Sequence, residues 1–240
     1  MAVAGLRLAV FCATAVLALA APQTSVRAAE PVKRIAVYVE PFYRAAGGPG
    51  GTPHVQVGAT FDSLLRSNAL ADINAARDLV TAKPGLVSPM TLMVLAIRYY
   101  DLGARDDAVF WFYAAKDRML SLLEVAEPGT PALAQASHAI AAFSQLAGPV
   151  VNGYAFCDIE QQARQRLAAF RWVEANPYQA IFLDRVPARG PDRKALLGKA
   201  LSAIAAQIEK ERAYLADPAN RKRFREDRLS SETDSRYCWR

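Results

Sequence analysis

The stretch that decides the fold is residues 88–125, "SPMTLMVLAIRYYDLGARDDAVFWFYAAKDRMLSLLEV". Ser88 is a good N-cap, its hydroxyl able to accept from an amide of the first turn. Pro89 stands at the first helical position, where its missing N–H costs nothing. Gly103 supplies a left-handed stop. These signals predict a helix over 89–102. Asp106 and Asp107 suit the positive start of a second helix, which runs to about Val125. The first helix is apolar nearly all round, so it is expected to lie between other elements. On a helical wheel, Trp111, Phe112, Ala108, Ala115, Met119, Leu120, Leu122 and Leu123 share one side of the second. Asp117, Arg118, Ser121 and Glu124 share the other, expected to face water, with Phe110 among them.

The rest of the chain repeats this helical grammar. Helical spacing begins after Gly58, with "FDSLLRS" and "ALADINAARDLVTA", the latter stopped by Pro84 and Gly85. Further helices are predicted at about 131–147, 158–175 and 192–216, with a short one from Pro218. The fold class is all-α, built of antiparallel helical hairpins. "RIAVYVEPFY", residues 34–43, has the β-branched and aromatic bias of a strand or extended arm, ended by Pro41. The next segment, 44–58, is rich in Gly and Pro and is expected to be a flexible connector. The expected organisation is therefore residues 1–28 as a signal peptide, 29–58 as an arm with a Gly-rich linker, and 59–240 as one helical domain.

Residues 1–28 carry one Arg near the start, an apolar run from Leu8 to Ala21 and small residues beyond, the layout of a secretory signal peptide. The run is shorter than the ~20 residues that span a bilayer. Cleavage after Ala28 or Ala20 is expected, placing the mature chain in the periplasm or outside the cell with no membrane span. That cut removes Arg7 and Arg27 and no acid, so the formal charge falls from +6 to +4. Such a small excess does not mark a nucleic-acid binder. The densest cluster, Arg221–Arg225, is followed by Glu226 and Asp227, as on a solvated helix face.

The hairpin at 89–125 resembles one tetratricopeptide unit. Leu95, Ala96 and Tyr99 lie on its first helix, Gly103 in its turn, and Ala108, Phe112 and Ala115 on its second, at that family's spacing. The resemblance covers one unit of about 34 residues. It implies binding of a peptide or protein on the surface lined by the first helix. Carried over by position, that surface comprises Met90, Met93, Ile97, Tyr100 and Asp101. The competing reading is that a preceding helix covers these residues, making them core.

Motifs for chemistry are sparse. The two histidines, His54 and His138, are far apart, and the chain has neither H-E-x-x-H nor C-x-x-C spacing, so no metal or cofactor is expected. The glycine run lacks the Gly-Lys-Ser/Thr ending of a phosphate loop. Glu40, set among Tyr38, Phe42 and Tyr43, is the one candidate general acid, if those rings desolvate it and a second carboxylate stands near. Cys12 leaves with the signal peptide, so Cys157 and Cys238 remain, and in an oxidising compartment they are expected to form a disulfide. The functional expectation is an exported, non-catalytic helical protein that binds another protein or an envelope component. The alternative is an envelope hydrolase using Glu40.

Overall fold

Strict alternation opens the folded chain: Ile35, Val37 and Val39 are buried, and Ala36, Tyr38 and Glu40, each next along the chain, are exposed. The computed structural model describes residues 29–127 and 129–239. The expected signal peptide, with Cys12 and both cleavage sites, lies outside them. The alternating segment leads into a small antiparallel sheet of β1 (Tyr38–Val39), β2 (Tyr43–Arg44) and β3 (His54–Val55), in that order. Val39 pairs with Tyr43, and Tyr43 with Val55, so one face of the sheet is apolar.

The arm and connector thus belong to the folded body. The amide of Ile35 donates to Asp101 at 2.7 Å, and Thr91 donates its hydroxyl proton to the Val57 carbonyl at 3.3 Å. The glycine run joins β2 to β3. It is held by Arg34 on the Gly48 carbonyl and by Asn68 on those of Gly50 and Gly51. His54 sits exposed in β3.

The helices are α1 (Ala59–Arg66), α2 (Leu70–Ala82), α3 (Pro89–Asp101), α4 (Arg105–Val125), α5 (Pro131–Ala155), α6 (Ile159–Ala175), α7 (Arg193–Ala216), α8 (Pro218–Ser230) and α9 (Thr233–Tyr237). The fold is all-α apart from the small sheet. Side-chain caps define most starts. Ser88 accepts from the Thr91 amide at 3.1 Å, and Asp158, Asp192 and Asp217 each accept from the amide three residues on at 2.9 Å. Gly103, at φ 85°, ends the first helix of the predicted hairpin where expected.

One predicted boundary moves. α5 was expected to stop near Ala147, ahead of Gly148 and Pro149, yet it continues to Ala155 with Pro149 inside it. Gly148 faces the Phe112 ring, and burial of Val151 and Ala155 carries the helix past the proline.

α4 is the axis of the molecule, packed against α3, α5, α6 and α7. That position overturns the expected polar face. Asp117, Arg118 and Ser121 are 1%, 0% and 3% exposed, whereas Leu120, assigned to the packed side, is 50% exposed. The wheel sorts residues by polarity, but these polar groups have partners. Arg166 of α6 donates to both carboxylate oxygens of Asp117, at 2.5 and 2.9 Å. Arg118 donates to the carbonyls of Pro84, Val87 and Asn176 and lies over the Trp172 ring at 4.6 Å. Phe110 covers its neighbours, edge-on to Trp111 and Trp172.

A disulfide joins Cys157, between α5 and α6, to Cys238 after α9, with Cα atoms 5.5 Å apart. It closes the tail onto the body of the fold. Among the described residues no helix is long and apolar enough to cross a membrane.

Candidate functional site

The surface carried over from the tetratricopeptide resemblance is interior. Met93, Ile97 and Tyr100 are fully buried, and Met90 is half-buried against the same core. Asp101 accepts from the Ile35 amide and pairs with Arg98 at 3.1 Å. Burial pushes its carboxyl above the ordinary range despite these partners. The N-terminal arm and α5 cover the face that an open repeat would present, so the competing reading of these residues as core is the one observed. Tyr100 donates to the Val32 carbonyl at 3.0 Å, which fixes the arm in that place.

Glu40 is exposed at the end of β1, its carboxylate 3.9 Å from Arg44. Tyr38 is itself 61% exposed, so the ring environment expected to desolvate Glu40 is not formed. His138 points to solvent from α5.

A groove that the motifs did not reveal lies between α6, the end of α7 and α8. Its volume is about 420 Å³, within the range of small-ligand sites and side-chain pockets. Phe156, Ile159, Leu167, Ile208, Leu215 and Phe224 supply apolar walls. Helical spacing explains this. Ile159, Ala163 and Leu167 follow one another at i, i+4, i+8 on α6, and Phe224 of α8 meets Phe156 edge-on at 5.2 Å between ring centroids. The rim is charged but internally matched: Arg221 pairs with Glu160 and Arg212 with Glu209.

Beneath the groove runs a buried polar chain. Arg166 lines the floor, stacks over the Tyr113 ring at 5.1 Å and holds Asp117. Gln162 donates to the Tyr113 hydroxyl at 3.0 Å, and that hydroxyl donates to Asn152 at 2.9 Å. Burial pushes the Tyr113 phenol up to about 12. It also lowers Lys116, with nearby Arg166 contributing in the same direction. The floor's polar side chains are therefore held by hydrogen bonds to one another, and the walls above them offer apolar contact inside a charged rim. The available signal for it was an arginine and a glutamine within the otherwise apolar face of α6.

A second cavity of about 570 Å³ is polar and lies beside the disulfide. The Arg105 guanidinium there sits between the Tyr154 and Trp239 rings, at 4.4 and 4.0 Å, and donates to the Trp239 carbonyl at 2.9 Å.

No family model matches the chain, and no solved structure matches it. A protein of Haemophilus influenzae called "Uncharacterized protein" is 32% identical over 210 residues, covering 88% of this chain and 81% of the relative. The chain belongs to that protein's family. The tetratricopeptide likeness rests on residue spacing within α3 and α4.

Proposed function

We propose that this is an exported, non-catalytic helical protein that binds an apolar segment of another protein or of a cell-envelope component in the groove between α6, α7 and α8. The observation that carries the reading is the composition of the groove: aromatic and aliphatic walls open to solvent, over a floor whose polar groups are already hydrogen-bonded. Interface anchors of this kind are fully desolvated apolar side chains, surrounded by polar groups that exclude water. Export rests on the character of residues 1–28, with cleavage after Ala28 or Ala20 and a periplasmic or secreted mature chain. The Cys157–Cys238 disulfide supports it, since such bonds persist in oxidising compartments.

Tyr214, on the groove and 48% exposed, gives a test that spares the core. Mature protein is immobilised and exposed to a periplasmic fraction, beside Tyr214→Lys and beside Leu86→Ser, which alters an exposed residue outside the groove. The reading expects a captured species that is lost with Tyr214→Lys and kept with Leu86→Ser. Capture unaffected by Tyr214→Lys contradicts it.

A further inference from the structure

We propose that Cys157–Cys238 is a thiol–disulfide exchange site, open to a dithiol reductant and arranged to release the C-terminal helix. The inference is independent of what the α6–α8 groove binds. Cys157 is exposed, Cys238 is half-exposed, and both border the polar cavity of about 570 Å³, which leaves an approach for an incoming thiolate. A purely structural cystine needs no cation beside it, yet this one has Arg228. That side chain is 8% exposed, the one buried residue of α8, and its Nη2 lies 3.3 Å from Cys238 Sγ and 3.7 Å from Cys157 Sγ. The same guanidinium is held in position by the Gly153 carbonyl at 2.8 Å and by Asp234 at 2.7 Å. Asp234 is the opposing charge, 3.5 Å from Cys238 Sγ, and is engaged through Nε of Arg228, while Nη2 is shared between the Gly153 carbonyl and the two sulfurs. Cys157 immediately precedes Asp158, the cap of α6, so the positive end of that helix also lies beside it.

The exchange proceeds in two steps. A thiolate of the reductant attacks Cys157 Sγ, forming a mixed disulfide. The Cys157–Cys238 bond breaks, and its electron pair leaves on Cys238 Sγ as a thiolate with Arg228 as counter-ion. The second thiol of the reductant gives its proton to solvent and attacks its partner sulfur in the mixed disulfide, expelling Cys157 as a thiolate at the start of α6. The cystine gains two electrons and the dithiol becomes a cyclic disulfide. Besides the disulfide, α9 is tied by Asp234 on Arg228, by the Tyr237 ring against Gly153, by the bond from the Val32 amide to the Arg236 carbonyl, and by Arg105 on the Tyr237 and Trp239 carbonyls.

The test treats folded, oxidised mature protein with dithiothreitol in native buffer, quenching with an alkylating reagent and counting labelled cysteines by mass. Wild type is expected to become doubly labelled while its helical circular dichroism persists. Arg228→Met should be reduced about threefold or more slowly, because the leaving Cys238 sulfur loses its counter-ion and a poorer leaving thiolate departs more slowly. Arg228→Lys, which keeps the charge, should recover most of the wild-type rate. Reduction of Arg228→Met at the wild-type rate or faster overturns the assignment. Should Arg228→Met fail to fold, the wild-type arm decides: labelling that requires denaturant overturns the proposal, and labelling of the folded protein supports it.

Discussion

α3 and α8 are helices of equal length, thirteen residues each, built by different physics. α3 buries eleven of its residues and α8 buries one. Hydrophobic transfer therefore holds α3, at about 25 cal/mol for each Å² of apolar surface removed from water. α8 contributes almost nothing of that kind and depends on its Asp217 cap, on the pairing of Arg221 with Glu160, and on the neighbouring disulfide. Arginine nevertheless joins both regions to the rest of the fold. Arg98 and Arg118 sit in the core with carbonyls and a carboxylate around them, although the Nε of each has no partner. Burial draws the Arg118 guanidinium down to about 10, so it stays charged at neutral pH. Arg228 performs the same joining at the tail, with sulfur added to its partners. Buried charge is tolerable wherever each ion is enclosed by its partners, and removing one partner is costly.

The largest effect should come from that last point. Asp117→Ala leaves Arg166 buried without its carboxylate and is expected to destabilise by about 3–5 kcal/mol in denaturant unfolding, where the helical wheel alone assigned Asp117 to a tolerant face. A loss under about 1 kcal/mol would mean that Arg166 is solvated in the folded protein. Replacing Cys157 and Cys238 together by serine removes a link between residues 81 apart, worth up to about 4 kcal/mol if loop entropy alone acts. Ala108→Leu, at a fully buried contact between α3 and α4, should cost about 1–3 kcal/mol through overpacking. Lys222→Ala on the exposed side of α8 should stay within about 0.5 kcal/mol.

The contrast also has a pH signature. Tyr99, Tyr100 and Tyr113, all on α3 or α4, are pushed by burial from 10.0 to about 12. The folded protein keeps protons that the unfolded chain releases, so these residues leave stability unchanged below pH 10 and lower it as pH climbs from 10 to 12. Alkaline titration of the unfolding free energy should show this decline, and Tyr100→Phe should reduce its slope by one proton's share. A slope unchanged in Tyr100→Phe would place that phenol in water.

Local punctuation made most of this architecture legible in advance. Ser88, Pro89, Gly103 and the aspartate caps act within one turn of their own position, so α3, α4, α6 and α7 begin and end close to where their residues place them. The cysteine pair was legible by count, once the expected loss of Cys12 left two. What the sequence concealed are relations between distant segments. Nothing near Asp117 announces Arg166, and nothing near Met93, Ile97 or Tyr100 announces that the arm from Val32 to Val39 lies across α3. The groove was hidden for the same reason, because its walls come from three helices and Phe156 meets Phe224 across 68 residues of chain. Periodicity tells which residues share a face but not what covers that face.

Native-state hydrogen exchange on the oxidised and reduced protein most directly tests the division into a core hairpin and a tail held by charge and disulfide. In the reduced protein, amides of α3 and α4 should exchange only through global unfolding, while those of α8 and α9 open locally at much lower free energy. If α3 and α9 amides instead exchange with the same free energy after reduction, the two regions form one cooperative unit and the account is contradicted.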